Sequence, residues 1–222
     1  MTSRFTEPQE PPNDLAPSGL TTPRAAAVAG VVFAVLFVAS VLIVRSFVAG
    51  SSTGTVAGIT EVLGGYMSVA TAYLVPFAGI AFLWFIGVVR DRIGVYEDRF
   101  FATVFLGSGL VFVAMLFSAA GVAAGVLTLT QPTAATLDLG KSIARGMFYL
   151  YGARSAGVFT IVTSMIVLRT GALPRWAAFT GLVVGLVLLL SVQSFELIIL
   201  LFPAWVLLLS LLILVRGPGI RE

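Results

Sequence analysis

Six apolar runs, at about 25–49, 67–89, 100–128, 144–168, 176–192 and 196–215, occupy most of this chain and decide what it can fold into. Each meets or approaches the ~20 residues with which an α-helix crosses a ~30 Å hydrocarbon layer. Only 10% of the 222 residues are charged, against about 25% in soluble domains, too few to cover such runs with a water-facing surface. The expected fold is therefore all-α: a polytopic membrane helix bundle of six transmembrane helices. In lipid each backbone N–H and C=O must be satisfied internally, and a helix does this alone. The fifth run is the shortest. It is supported by "LPRW" (173–176), where Pro174 suits a first helical turn and Trp176 an interfacial position. The break "SVQSFE" (191–196) divides it from the sixth.

The flanks are of another composition. Residues 1–24, "MTSRFTEPQEPPNDLAPSGLTTPR", hold five of the ten prolines and no apolar periodicity, and are expected to be a disordered cytoplasmic tail. The apolar run follows too late and runs too long for a cleaved leader. Residues 25–216 form the transmembrane domain and 217–222 a second short cytoplasmic tail. Orientation follows from the basic residues. With the N-terminus inside, Arg4, Arg24, Arg90, Arg92, Arg99, Arg169, Arg175, Arg216 and Arg221 all face the cytoplasm, and only Arg45, Lys141 and Arg145 lie in the outer connections. Nine against three is a positive-inside bias, so both termini are expected to be cytoplasmic. The net charge of +3 is thereby a topological signal. The loop "RDRIGVYEDR" (90–99) mixes three acids with its basic residues, so no nucleic-acid partner is expected.

Missing residue types exclude much chemistry. The chain has no Cys and no His. Thiolate nucleophiles, disulfides, Cys- or His-ligated metals and imidazole bases are therefore unavailable. The glycines lack the Lys-Ser/Thr neighbour of a phosphate-cradling loop. Asp91, Asp98 and Asp138 fall outside the spans, which excludes a buried aspartyl pair. No carboxylate lies at mid-membrane, where a proton-coupled carrier would bury one. No enzyme activity, cofactor or metal is expected.

Counting helical rise from the inner basic anchors assigns depths to the charges. Arg45 lies 21 residues after Arg24, roughly 31 Å away and so at the outer surface. Glu196 lies 20 residues before Arg216, roughly 30 Å and at the same level. Glu61, 29 residues before Arg90 and so roughly 43 Å away, belongs to the outer connection. Arg154, 15 residues before Arg169, is only about 22 Å up, inside the hydrocarbon. Three roles remain open for it: snorkelling to the headgroups, pairing with Glu196, or holding an anionic headgroup or solute. Tyr73, Tyr149, Tyr151 and Gln193 lie at similar outer depths and could line an outward-opening pocket with Arg154 and Glu196, or simply belong to the aromatic belt. The small residues of "GARSAG" (152–157) suggest that Arg154 faces protein.

Three small-residue patterns match the motif for close helix approach: "GTVAG" (54–58), "GVAAG" (121–125) and "GLVVG" (181–185). The second, within "SAAGVAAG" (118–125), is small over two turns and is expected to pack against helix two. Pro76 and Pro203 interrupt spans two and six but do not match as paired breaks of a repeated carrier fold.

The segment "RSAGVFTIVTSMIVLRTGALPRWAAFTGLVVGLVLLL" (154–190) resembles the pattern of a broad group of uncharacterised bacterial six-helix integral membrane proteins. In that group an arginine and small residues open helix four, and a cytoplasmic small-Leu-Pro-Arg-Trp turn leads into a Gly-rich helix five. Arg154, Leu173, Pro174, Arg175, Trp176 and Gly181 carry the resemblance. It implies six spans and a multi-pass protein of the bacterial plasma membrane, and no reaction. The functional expectation is a non-enzymatic accessory or interaction subunit, with the lipid bilayer and another membrane protein as partners. The alternative is a small permease or a lipid- or solute-binding protein with an outward-facing pocket around Arg154.

Overall fold

The computed structural model describes residues 22–52, 70–93, 99–130, 133–171, 173–191 and 196–216, and these form six helices with no strand among them. Helix α1 is Thr22–Ser52, with Pro23 in its first turn, where a missing N–H does no harm. Helix α2 opens with a π-helical turn, Ala70–Leu74, and continues as Val75–Ile93. Helix α3 is Arg99–Leu127. Helix α4 is continuous over Ala134–Thr170; it is α-helical over Ala134–Arg145 and Ala153–Thr170, with a π-helical stretch, Gly146–Gly152, between them. Helix α5 is Arg175–Leu190, and α6 is Leu201–Arg216, led in by the 3-10 turn Glu196–Leu200. Residues 1–21 and 217–222, and the "GTVAG" pattern, lie outside the described residues.

Four of these helices are long and apolar enough to cross a membrane: α2, α3, α4 and α6. The described side chains of α1 cover the 17 apolar positions Ala27–Ile43, and α5 has 16 residues, a rise of about 24 Å. Helix α4 begins ten residues before the expected start at 144. Thr133 caps it, its Oγ1 accepting from the Thr136 N–H at 3.2 Å, and Gly140 packs tightly on Val126 of α3. The charges in this first segment lower its apolarity, which is why the hydrophobic pattern alone placed it in a loop.

Each helix packs on its chain neighbours, and α6 returns to α1, so the six close into a ring. From α2 onward the connections are short, which makes successive helices antiparallel. Accordingly Arg169, near the end of α4, sits 4.2 Å from the ring centroid of Phe101, near the start of α3. The middle of the ring is aromatic. Phe82 of α2 lies 4.7 Å from Phe33 of α1, 5.2 Å from Phe112 of α3, 5.1 Å from Phe159 of α4 and 5.5 Å from Phe202 of α6, centroid to centroid. Most of these contacts are edge-on or tilted, the arrangement ring quadrupoles favour, and each contributes about 0.5–1.5 kcal/mol beyond the area it buries. Because lipid tails are as apolar as these side chains, such packing, not exclusion from solvent, holds the helices together.

Two of the three irregular helical turns have a simple cause. Proline lacks an N–H and its ring crowds the carbonyl four residues back. For Pro76 that carbonyl is Ala72, inside the π-helical turn; for Pro203 it is Ile199, inside the 3-10 turn. The third, Gly146–Gly152, contains no proline. It directly precedes Arg154.

The closest helix approach is between α4 and α5. A Cβ added to Gly157 would stand 2.9 Å from the Gly185 carbonyl oxygen, and one added to Gly185 would stand 2.8 Å from that of Gly157. At Gly181 it would strike Ser164 Oγ and the Trp205 ring. "GLVVG" is thus the pattern that brings two helices together. The glycines of "GVAAG" do not: Gly121 and Gly125 are exposed and meet nothing within 4 Å, while Ala119 in the same run is buried and α3 also contacts the start of α2. Between α4 and α5 the chain turns at Gly171, whose φ of 63° is a left-handed conformation that only glycine adopts readily, its N–H donating to Val167 at 3.0 Å. Buried Leu173 then seats the turn, and Pro174 caps α5.

Candidate functional site

Helical periodicity in α4 decides which way Arg154 points. Gly152, Ala153, Ala156, Gly157 and Thr160 are all buried and lie on one side of the helix, repeating at i and i+4. Arg154 is angularly displaced from that row and is exposed, as is Tyr151 one turn before it. The small residues do admit close neighbours, but on the opposite side from the arginine. The expectation that Arg154 faces protein is therefore corrected: it stands on the outer perimeter of the ring.

There it borders a shallow groove of about 340 Å³ between α3 and α4, lined by Ser108, Val111 and Met115 on one wall and Tyr151, Arg154, Ser155 and Val158 on the other. The walls are almost wholly apolar, and the groove is open along the outer perimeter of the ring, where Arg154 and Tyr151 are exposed. The hydroxyls add little polarity. Ser155 Oγ donates to the Tyr151 carbonyl at 2.7 Å, and Ser108 Oγ donates to Val104 at 2.7 Å. Arg154 is the groove's one permanent charge.

The guanidinium is drawn back along its own helix. Arg154 Nη1 donates to the Leu150 carbonyl at 3.0 Å, which anchors the side chain on the π-helical stretch. Helical Cα–Cβ bonds tilt toward the N-terminus, which in α4 is the end away from Arg169. The same direction serves a side chain climbing toward the headgroups at that end of the helix. One donor is used in this way and a guanidinium carries five. Among the described residues no acidic side chain pairs with it.

The other candidate residues do not join it. Tyr73 sits on the π-helical turn of α2, 60% exposed, and does not line the groove. Tyr149 turns inward, its ring 4.9 Å from that of Phe148 at the edge of the core. Gln193 and the side chain of Glu196 lie outside the described residues. The structure thus unites Arg154 with Tyr151 and adds Ser108, Val111 and Met115 from α3. Pairing of α3 with α4 was not readable as a site, because the α3 wall carries no polar signal beyond one serine.

Elsewhere the interior is chemically quiet. Buried Ser40, Thr160, Thr163, Ser164 and Ser210 each donate to the carbonyl four residues earlier in their own helix. Trp205 Nε1 donates to Ala177 across the α5–α6 boundary at 3.3 Å. No cluster of potential metal ligands occurs among the described residues. No family model, curated protein or solved structure matches the chain.

Proposed function

We propose that this is a non-enzymatic integral membrane protein acting as an accessory or interaction subunit, crossing the bacterial plasma membrane six times with both termini cytoplasmic. The observation that carries the reading is the filled centre: phenylalanines from five helices meet where a substrate path or a reaction chamber would lie. The buried hydroxyls are each engaged with their own backbone, so they supply no polar lining either. What such a bundle can offer lies on its perimeter. The exposed small residues of α3, Gly121 and Gly125, are one surface where a partner helix could approach closely. Six crossings and the inward termini rest on the apolar runs and the basic-residue bias, and the bacterial setting on the resemblance of residues 154–190.

Gentle detergent extraction from native cells tests the reading. A partner recovered in fixed stoichiometry is the expected result; a lone monomer in every mild detergent removes the subunit role. A second reading, ligand binding around Arg154, is favoured by the α3–α4 groove. A permease is disfavoured by the aromatic centre.

A further inference from the structure

We infer that the α3–α4 groove is a binding site for an anionic phospholipid, with Arg154 taking the phosphate and one acyl chain lying along Val111, Met115 and Val158. The inference deepens the second reading above and rests on it. Heights measured along the helices match such a ligand. Ser108 is nine residues after Arg99, about 14 Å above the inner anchors, and Tyr151 is 18 residues before Arg169, about 27 Å. The groove therefore runs through the outer half of a ~30 Å hydrocarbon layer. Bonding to Leu150, 19 residues before Arg169, lifts the guanidinium to about 28 Å, next to the level of the glycerol and phosphate groups.

Charge and shape select the class of occupant. The arginine uses one donor on its own backbone and has no acidic partner among the described residues, so a phosphodiester can take the remaining fork in a bidentate contact. Apolar walls suit a hydrocarbon chain and give a soluble anion nothing to hold. The sideways opening admits a molecule already in the leaflet, without passage through the filled centre. Plain snorkelling needs only the arginine. The built groove below it is what snorkelling leaves unexplained. The π-helical stretch gives that carbonyl anchor its position, and no proline accounts for it; such stretches are frequent at functional sites.

The test uses the full chain in bilayers of equimolar phosphatidylglycerol and phosphatidylcholine, extracted in mild detergent, with retained lipid counted by mass spectrometry. Wild type should keep phosphatidylglycerol over phosphatidylcholine by about tenfold, the effect of one charge-assisted contact. Arg154→Gln should bring the ratio close to one. Val111→Trp, which fills the groove and leaves the arginine in place, should lower total retention by a similar factor, and it carries the test should the first variant fail to fold. Added inorganic phosphate should displace nothing. Equal retention of the two lipids by wild type, undiminished phosphatidylglycerol in Val111→Trp, or displacement by phosphate overturns the proposal. Membrane topology is read separately, from Gly58→Cys and Val95→Cys labelling on opposite sides of the membrane, so a failed lipid site and a failed bundle orientation give different results.

Discussion

Helix α4 has two flanks, and they are treated in opposite ways. Toward α5 it presents Gly157, and the facing helix presents Gly185, so backbone meets backbone and nothing else fits between. Toward α3, on the part of the helix farther from Arg169, it presents Tyr151, Arg154 and Val158, and the facing wall leaves a groove. Helix α3 itself carries glycines enough for a close approach, but Gly121 and Gly125 point away from every described neighbour. The lesson is that two facing glycines bring backbone onto backbone, whereas a glycine that faces a large side chain, as Gly140 faces Val126 and Gly79 faces Phe117, receives that side chain instead. Gly121 and Gly125 receive neither, and their stretch of α3 stays open.

The widest separation between the two flanks is expected from Gly185→Leu. Its side chain would enter the space held by the Gly157 carbonyl and Ile161, and overpacking of that kind costs about 3 kcal/mol, read as lost resistance to unfolding in mixed detergent micelles. A variant that unfolds like wild type would mean the α4–α5 seam is loose, and the contrast would vanish. An intermediate effect is expected from Trp205→Phe. It removes the hydrogen bond that the indole donates to Ala177, from α6 to α5, and should cost about 1 kcal/mol in the same assay. The smallest belongs to the double change Gly121→Ala and Gly125→Ala. With nothing within 4 Å of either position no contact is disturbed, so isolated-protein stability should not fall, and alanine's better helix propensity should raise it by up to about 1 kcal/mol. If the same variant loses its co-purifying partner, the open stripe is where the partner sits; if stability itself falls, the stripe is packed after all.

Much of the architecture could be read from residues alone, because apolar run length measures bilayer thickness directly. The start of α3 at Arg99 and its end at Leu127 fall within a residue of the apolar run. The early start of α4 was missed because a helix lying on α3 and rising past the apolar zone needs only one good face, and Thr133 was the signal that could have found it. At the site, the depth of Arg154 was legible and its direction was not. The number of small residues in "GARSAG" says that the turn can pack closely, but only their i, i+4 spacing says on which side, and it puts the arginine off that side. Choice among the three glycine patterns was beyond reach, since it depends on which helix lies opposite.

The aromatic centre also has an electrical meaning. Rings spaced 4.7 to 5.5 Å between centroids leave no room for a file of water molecules along the axis, so neither protons nor ions have a wire to follow. The same rings that hold five helices together thus also make the centre of the bundle an electrical barrier.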